Sequence, residues 1–229
     1  MMRPATTATA LLIAVLFLGC GSAGPETDPA SVTDSTTVAS GAGKEETPEA
    51  DSDLSGPHGR VAGTAPEAAE GTPSVIILNA TTPHETPIPT EPAEMDQFGR
   101  EFFPRLLLVR QGQPVVFLNS EDELHTVHVA DLDGHSLFNV AMPIRGGRHD
   151  HTFQALGEYT VACDAHNEMA ATILVVETPY ATIADRDGSF SLGLVRAGSY
   201  DLTLRRGAQR HREVIEITPG DNELTLAFP

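Results

Sequence analysis

From about residue 58 to the C-terminus, apolar and polar residues alternate in short runs that Gly, Pro and acidic turn residues interrupt. Alternation of this kind is the pattern of half-buried β-strands. His58 to Gly63 and Pro73 to Leu78 read as two strands with a polar gap between them. Seven further runs follow, near 95 to 98, 105 to 110, 114 to 119, 125 to 130, 149 to 154, 157 to 163 and 171 to 177. Strands at such short spacing predict a Greek-key β-sandwich. Leu132 to Arg148 is irregular and receives no element. Beyond it, Ala181 to Leu192 and Ala197 to Leu204 alternate again, and Asp187-Gly188 between apolar runs predicts a hairpin. Residues 180 to 229 are short for an independent sandwich, so residues 59 to 80 are expected to supply its missing strands, with 81 to 179 inserted between them. Two β-domains in tandem is the simpler alternative.

The first 57 residues follow a different pattern. Arg3 precedes an apolar run, Leu11 to Leu18, that ends at Gly19-Cys20-Gly21. This run is too short for the roughly 20 residues of a spanning helix and reads as an export signal over residues 1 to 20. The small residue before Cys20 resembles a bacterial lipobox, so lipid attachment at Cys20 is expected, with ordinary cleavage or a retained anchor as alternatives. Residues 21 to 57 are Ala, Gly, Ser, Thr, Pro, Asp and Glu with hardly a large apolar side chain, the composition of a disordered acidic linker. An exported protein held at a membrane surface, in the periplasm or on the outer cell surface, follows from these two segments.

The formal charge of -18, with Lys44 the sole lysine, excludes a basic nucleic-acid-binding surface. Most of the acidity lies in residues 81 to 179, which hold 15 Asp or Glu against 5 Arg, whereas 180 to 229 hold 7 against 6. The absence of Trp and the scarcity of aromatic residues argue against a large catalytic core. Two cysteines, Cys20 and Cys163, cannot build a disulfide framework, and Cys163 is left free to act as a thiolate.

Cys163 lies in the stretch that carries the clearest chemistry, Tyr159 to Met169. Strand alternation puts Tyr159, Val161 and Cys163 on one inward face, and His166 and Met169 follow in a tight turn. His125, where an acidic loop gives way to the next strand, is the evident source of a second imidazole. Two His and one Cys in plane with a weak axial Met form the copper site used for electron transfer. Structural zinc prefers four Cys or His ligands, which makes it a weaker reading. A catalytic Cys-His pair is weaker still, since no orienting or oxyanion-binding group accompanies it. His149 and His151 share one strand face, and with His128 they make a second metal site conceivable, although His128 has the opposite parity to His125. His135 reads as a turn residue, and Asp185 to Gly188 as a turn rather than a calcium loop.

The Cys-x-x-His-x-x-Met spacing of Cys163, His166 and Met169 resembles that of amicyanin-type cupredoxins, as do Met95-Asp96-Gln97, Phe103-Pro104, Val116-Phe117-x-Asn119, His125 and Gly157-x-Tyr159. The resemblance covers about residues 90 to 178. Thr126 stands after the first His where that family usually has Asn, and Asn167-Glu168 replaces a Pro and an apolar residue. The Gly-x-Val-x-Gly run of Gly59 to Gly63 resembles the first strand of carboxypeptidase regulatory-like, transthyretin-like modules. The expected fold is therefore all-β, a cupredoxin sandwich plus a small regulatory-like sandwich. The resemblance implies one type 1 copper ion on His125, Cys163, His166 and Met169, with the edge of His166 as the electron exit and no enzymatic activity of its own. Glu121, Asp122, Glu123, Asp164 and Glu168 would then form an acidic docking rim for a basic redox partner such as a c-type cytochrome. A surface adhesion or glycan-binding protein and periplasmic copper delivery are the rival functions.

Overall fold

A computed structural model describes residues 56–229. The expected export signal, lipid-modified Cys20 and most of the acidic linker lie outside the described residues. Among the described residues every regular element is a strand.

Two strands open the chain, β1 (His58–Thr64) and β2 (Val75–Ala80). Nine follow from the middle of the sequence: β3 (Ala93–Phe98), β4 (Glu101–Phe103), β5 (Leu106–Arg110), β6 (Pro114–Asn119), β7 (His125–Asp131), β8 (Ser136–Met142), β9 (Gly147–Thr152), β10 (Gly157–Ala162) and β11 (Ala170–Val176). They form a five-stranded sheet, β5-β11-β10-β7-β8, facing a four-stranded sheet, β4-β3-β6-β9. One apolar core fills the space between these sheets, with Met95, Phe117, Val127, Val129 and Ile173 fully excluded from solvent. Inward residues alternate with outward ones along β7 and β10, as the period-two pattern requires.

The segment from Leu132 to Arg148, which the sequence pattern leaves unassigned, contains β8 and the start of β9. β8 is an edge strand paired only with β7, and most of its side chains are exposed or half-buried. No buried stripe marks it in the sequence. The three-residue β4, which closes a hairpin onto β3 through Gly99-Arg100, carries too few residues to show a period.

Five strands complete the fold: β12 (Ala181–Ile183), β13 (Ser189–Arg196), β14 (Gly198–Arg206), β15 (Gln209–Ile217) and β16 (Gly220–Thr225). They do not pair among themselves alone. β1 lies between β13 and β16, and β2 lies between β12 and β14, so each of the first two strands is interior to a sheet of the second sandwich. β1 runs parallel to β16 so closely that a Cβ on Gly63 would sit 1.9 Å from the Leu224 carbonyl oxygen and one on Gly59 2.2 Å from that of Thr218. Only glycine is tolerated at both positions, which accounts for the Gly-x-Val-x-Gly run.

Asp187-Gly188 does form a tight turn, with the Gly188 amide donating to the Asp185 carbonyl at 2.9 Å and φ of +86° at Gly188. It does not close the hairpin expected of it. The Ala65 amide donates to the Gly188 carbonyl, and the flanking strands separate, β12 joining β2 and β13 joining β1. The true hairpin of this region is β14 with β15, turning at Gly207-Ala208.

Each sandwich fixes one strand start with a tyrosine hydroxyl that donates to the carbonyl four residues upstream, Tyr159 to Ala155 and Tyr200 to Arg196. The two sandwiches meet through the outer faces of β11 and β5 and of β2 and β12. Val75, Ile77, Leu174 and Val176 form the buried centre of this contact. Beside it the Arg205 guanidinium of β14 pairs with the Glu158 carboxylate of β10 at 2.5 Å.

Candidate metal centre

The donor residues gather where strands of the five-stranded sheet end. His125 is the first residue of β7, Cys163 follows the last residue of β10, and Met169 precedes β11. Between Cys163 and Met169 the chain makes a compact loop closed by its own amides. His166 N donates to the Cys163 carbonyl at 3.3 Å, Met169 N to the His166 carbonyl at 3.0 Å, and Cys163 N to the Met169 carbonyl at 3.3 Å. His125, Cys163 and Met169 are buried, at 0%, 2% and 2% exposure, and only His166 is partly open.

Three donor atoms converge. His125 Nδ1 and His166 Nδ1 lie 3.1 Å apart, and Cys163 Sγ is 3.8 Å from the first and 3.7 Å from the second. A single first-row ion with bonds of about 2.0 Å to nitrogen and about 2.3 Å to sulfur, placed at the centre of a trigonal set, separates its donors by about 3.5 Å for N to N and about 3.7 Å for N to S. The observed triangle fits one such ion, with a somewhat closed N-to-N side. Met169 shares the buried core with Cys163.

The surroundings hold each donor. Thr126 N donates to Cys163 Sγ at 3.3 Å, and the Thr126 hydroxyl accepts the Asp164 amide at 2.7 Å. Thr126 thus ties the segment that begins β7 to the loop that follows β10. Gln97, fully buried, donates from Nε2 to the Thr126 carbonyl at 2.9 Å. Asn119, 1% exposed, accepts the Glu121 amide at 2.8 Å and donates to the carbonyls of Glu123 and Met142. Asn119 shapes the acidic loop before His125, and Gln97 holds the backbone of β7 just after it. The reach of Gln97 to Thr126 and of Asn119 to Met142 escapes a reading of the sequence because these backbone groups lie far along the chain.

The acidic residues divide into two kinds. Glu121 Oε2 lies 3.0 Å from His125 Nε2, and Glu123 Oε1 lies 3.1 Å from His166 Nε2. Both carboxyls are held below the usual range, Glu121 chiefly by the Arg100 amide and Glu123 chiefly by the Arg100 guanidinium. Glu121 and Glu123 are therefore engaged with the imidazoles. Asp122 is the exposed member, pairing with Arg145 at 3.3 Å. Asp164 binds Asn139 and His128, and Asn139 is the main cause of its lowered pKa. Arg100, in the β3–β4 turn, was without any sequence signal.

His149 and His151 share a face as expected, but each stacks beside Phe138, with ring centroids 4.7 Å away, and His128 is bound to Asp164 and Ser136. These three do not come together as a donor set among the described residues. His135 closes a turn, its amide and ring both meeting Asp131.

No known family profile matches the chain, and no curated protein is similar to it. Solved structures that resemble part of it include a purple cupredoxin from Nitrosopumilus maritimus, 22% identical, covering 37% of this chain and 99% of its own, with a TM-score of 0.33. A reduced amicyanin variant is 23% identical over 37% of this chain and 82% of its own, with a TM-score of 0.34. A copper-containing nitrite reductase from Thermus scotoductus is 24% identical over 44% of this chain and 26% of its own, also with a TM-score of 0.34. Scores this low add nothing to the geometry above.

Proposed function

We propose that this chain is a mononuclear type 1 copper protein that carries single electrons outside the cytoplasmic membrane, anchored through Cys20. The observation that supports it is the buried triangle of His125 Nδ1, His166 Nδ1 and Cys163 Sγ, with sides of 3.1, 3.7 and 3.8 Å. Bound copper supplies the one-electron couple. Imidazoles suit both of its oxidation states, and the thiolate and the Met169 thioether favour the reduced one.

The protein's part is to hold these donors in place and keep water from them. Strand ends fix His125 and Cys163, the amide-closed loop fixes His166 and Met169, and the hydrogen bond from Thr126 N to Cys163 Sγ restrains the sulfur. A frame that does not move between oxidation states keeps reorganisation small. Burial of His125 and Cys163 favours a retained redox ion over copper delivery, which requires an exchangeable one. The partner is proposed to be a basic redox protein such as a c-type cytochrome, meeting the acidic surface at Asp122, Asp164 and Glu168. Electron paramagnetic resonance of the Cu(II)-loaded chain tests the reading. The narrow hyperfine splitting of a copper-thiolate centre is expected, and a wide splitting typical of nitrogen and oxygen ligation alone would refute it.

A further inference from the structure

The imidazole of His166 does not end in solvent. Its side chain is 14% exposed, and its Nε2 faces Glu123 Oε1 at 3.1 Å. Both oxygens of that carboxylate are gripped by one guanidinium, with Arg100 Nη2 2.7 Å from Oε1 and Arg100 Nε 3.2 Å from Oε2. The backbone amide of the same Arg100 donates to Glu121 Oε2 at 3.2 Å, the carboxylate that meets His125. Arg100 occupies φ of +56°, a left-handed conformation that a side-chain-bearing residue adopts at a cost. As an exposed ion pair, Arg100 with Glu123 contributes little to stability. Its position argues for a different role.

We infer that Glu123, held by Arg100, is the positioning residue for His166 and, with Arg100, sets the charge balance at the metal, an inference that rests on the copper reading above. A carboxylate on Nε2 requires the proton on that nitrogen and leaves Nδ1 bare toward Cys163 and His125. It also fixes the ring plane, as outer-layer carboxylates do for ligand histidines. The two side chains act on the couple with opposite signs. The negative charge of Glu123, one imidazole from the ion, favours Cu(II), and the positive charge of Arg100 behind it opposes that preference. The outermost group at the His166 edge is therefore an ion pair, and an electron leaving by this edge passes beside it.

Four variants of the full chain test this. Glu123→Gln keeps an acceptor and removes the charge, so the reduction potential is expected to rise. Arg100→Gln leaves the carboxylate uncompensated, so the potential is expected to fall. The double variant should lie between them. Glu123→Ala removes the acceptor and is expected to lose about ten- to a hundred-fold in Cu(II) affinity. A metal-free measurement accompanies these: nuclear Overhauser contacts from the His166 ring to the Cys163 β-protons are expected in the parent and in Glu123→Gln, and are expected to be lost in Glu123→Ala. Potentials that do not move in opposite directions, or ring contacts that persist in Glu123→Ala, would overturn the assignment. A parent chain with no copper couple would refute the copper reading instead, and the metal-free ring contacts would still decide the role of Glu123.

Discussion

Removing residues 58 to 80 should unfold the strands at the far end of the sequence. β1 is the middle strand of β13-β1-β16, and β2 is interior in β12-β2-β14-β15, so the deletion takes an interior strand from both sheets of one sandwich. Val61, Val75, Ile76, Ile77 and Leu78 are all 8% exposed or less. At about 1.5–3 kcal/mol for each buried side chain of this size, the loss is about 7–15 kcal/mol. That equals the whole stability of a typical domain, about 5–15 kcal/mol. The first sandwich keeps its own core, because none of those residues belongs to it, and loses the outer packing of Leu106, Leu108, Leu174 and Val176 and the pairing of Glu158 with Arg205. Amide hydrogen exchange reads the result strand by strand. Protection in β14 and β15 should collapse to that of an unfolded chain, while β7, β10 and β11 remain protected. Unchanged protection in β14 and β15 after the deletion would refute the interleaved account.

Other outcomes are specific to single side chains. Cys163→Ser should abolish visible colour on copper addition while circular dichroism stays that of the parent, since the sandwich is held by apolar faces. Met169→Leu should keep the colour and raise the potential, as loss of a weak donor destabilises Cu(II) more than Cu(I); a variant that binds no copper would show Met169 to be more than a weak ligand. Asp122→Asn with Glu168→Gln should flatten the salt dependence of electron transfer to a basic cytochrome, measured by stopped flow, and leave the spectrum unchanged. Burial pushes the Tyr200 hydroxyl up to about 12. Ionisation of this residue in the unfolded chain, near pH 10, should therefore cost stability as pH rises from about 10 to about 12, by about 2–3 kcal/mol in all. Below pH 10 that contribution is fully present, and thermal melts of Tyr200→Phe should show a correspondingly shallower alkaline decline.

The parts of this fold that were legible in the sequence are those with a strong local period. β7 and β10 bury one face against the core and show it as alternation, while β6 and β11 are buried at successive positions and read as short continuous apolar runs, all four within a residue or two of their observed ends. β8 turns Phe138, Val140 and Met142 toward the core, but Leu137 and Ala141 on its exposed face are apolar as well, which blurs the alternation. Asp187-Gly188 shows why turn chemistry and strand pairing are separate matters. The dipeptide dictates a reversal of the chain, but the partners of the flanking strands are chosen by β1 and β2, more than a hundred residues earlier. At the site, Cys163, His166 and Met169 stand out because three donors fall in one short turn, and His125 because it opens a strand directly after an acidic loop. Gln97 and Asn119 enter the sequence reading only through the resemblance and Arg100 not at all, because the contacts of Gln97 with Thr126, Asn119 with Met142 and Arg100 with Glu123 join segments remote in sequence. The Glu121 to Glu123 run looked like one exposed acidic patch. Its alternation sends two carboxylates to two imidazoles and leaves Asp122 outside.

The measurement nearest to the central claim is an optical titration of the purified chain with Cu(II), using Cys163→Ser as the baseline. An intense thiolate-to-copper charge-transfer band should grow and stop at one ion per chain, vanish on reduction and return on reoxidation. Copper that binds without that band, or a band that does not reverse with the redox cycle, would contradict the electron-carrier account.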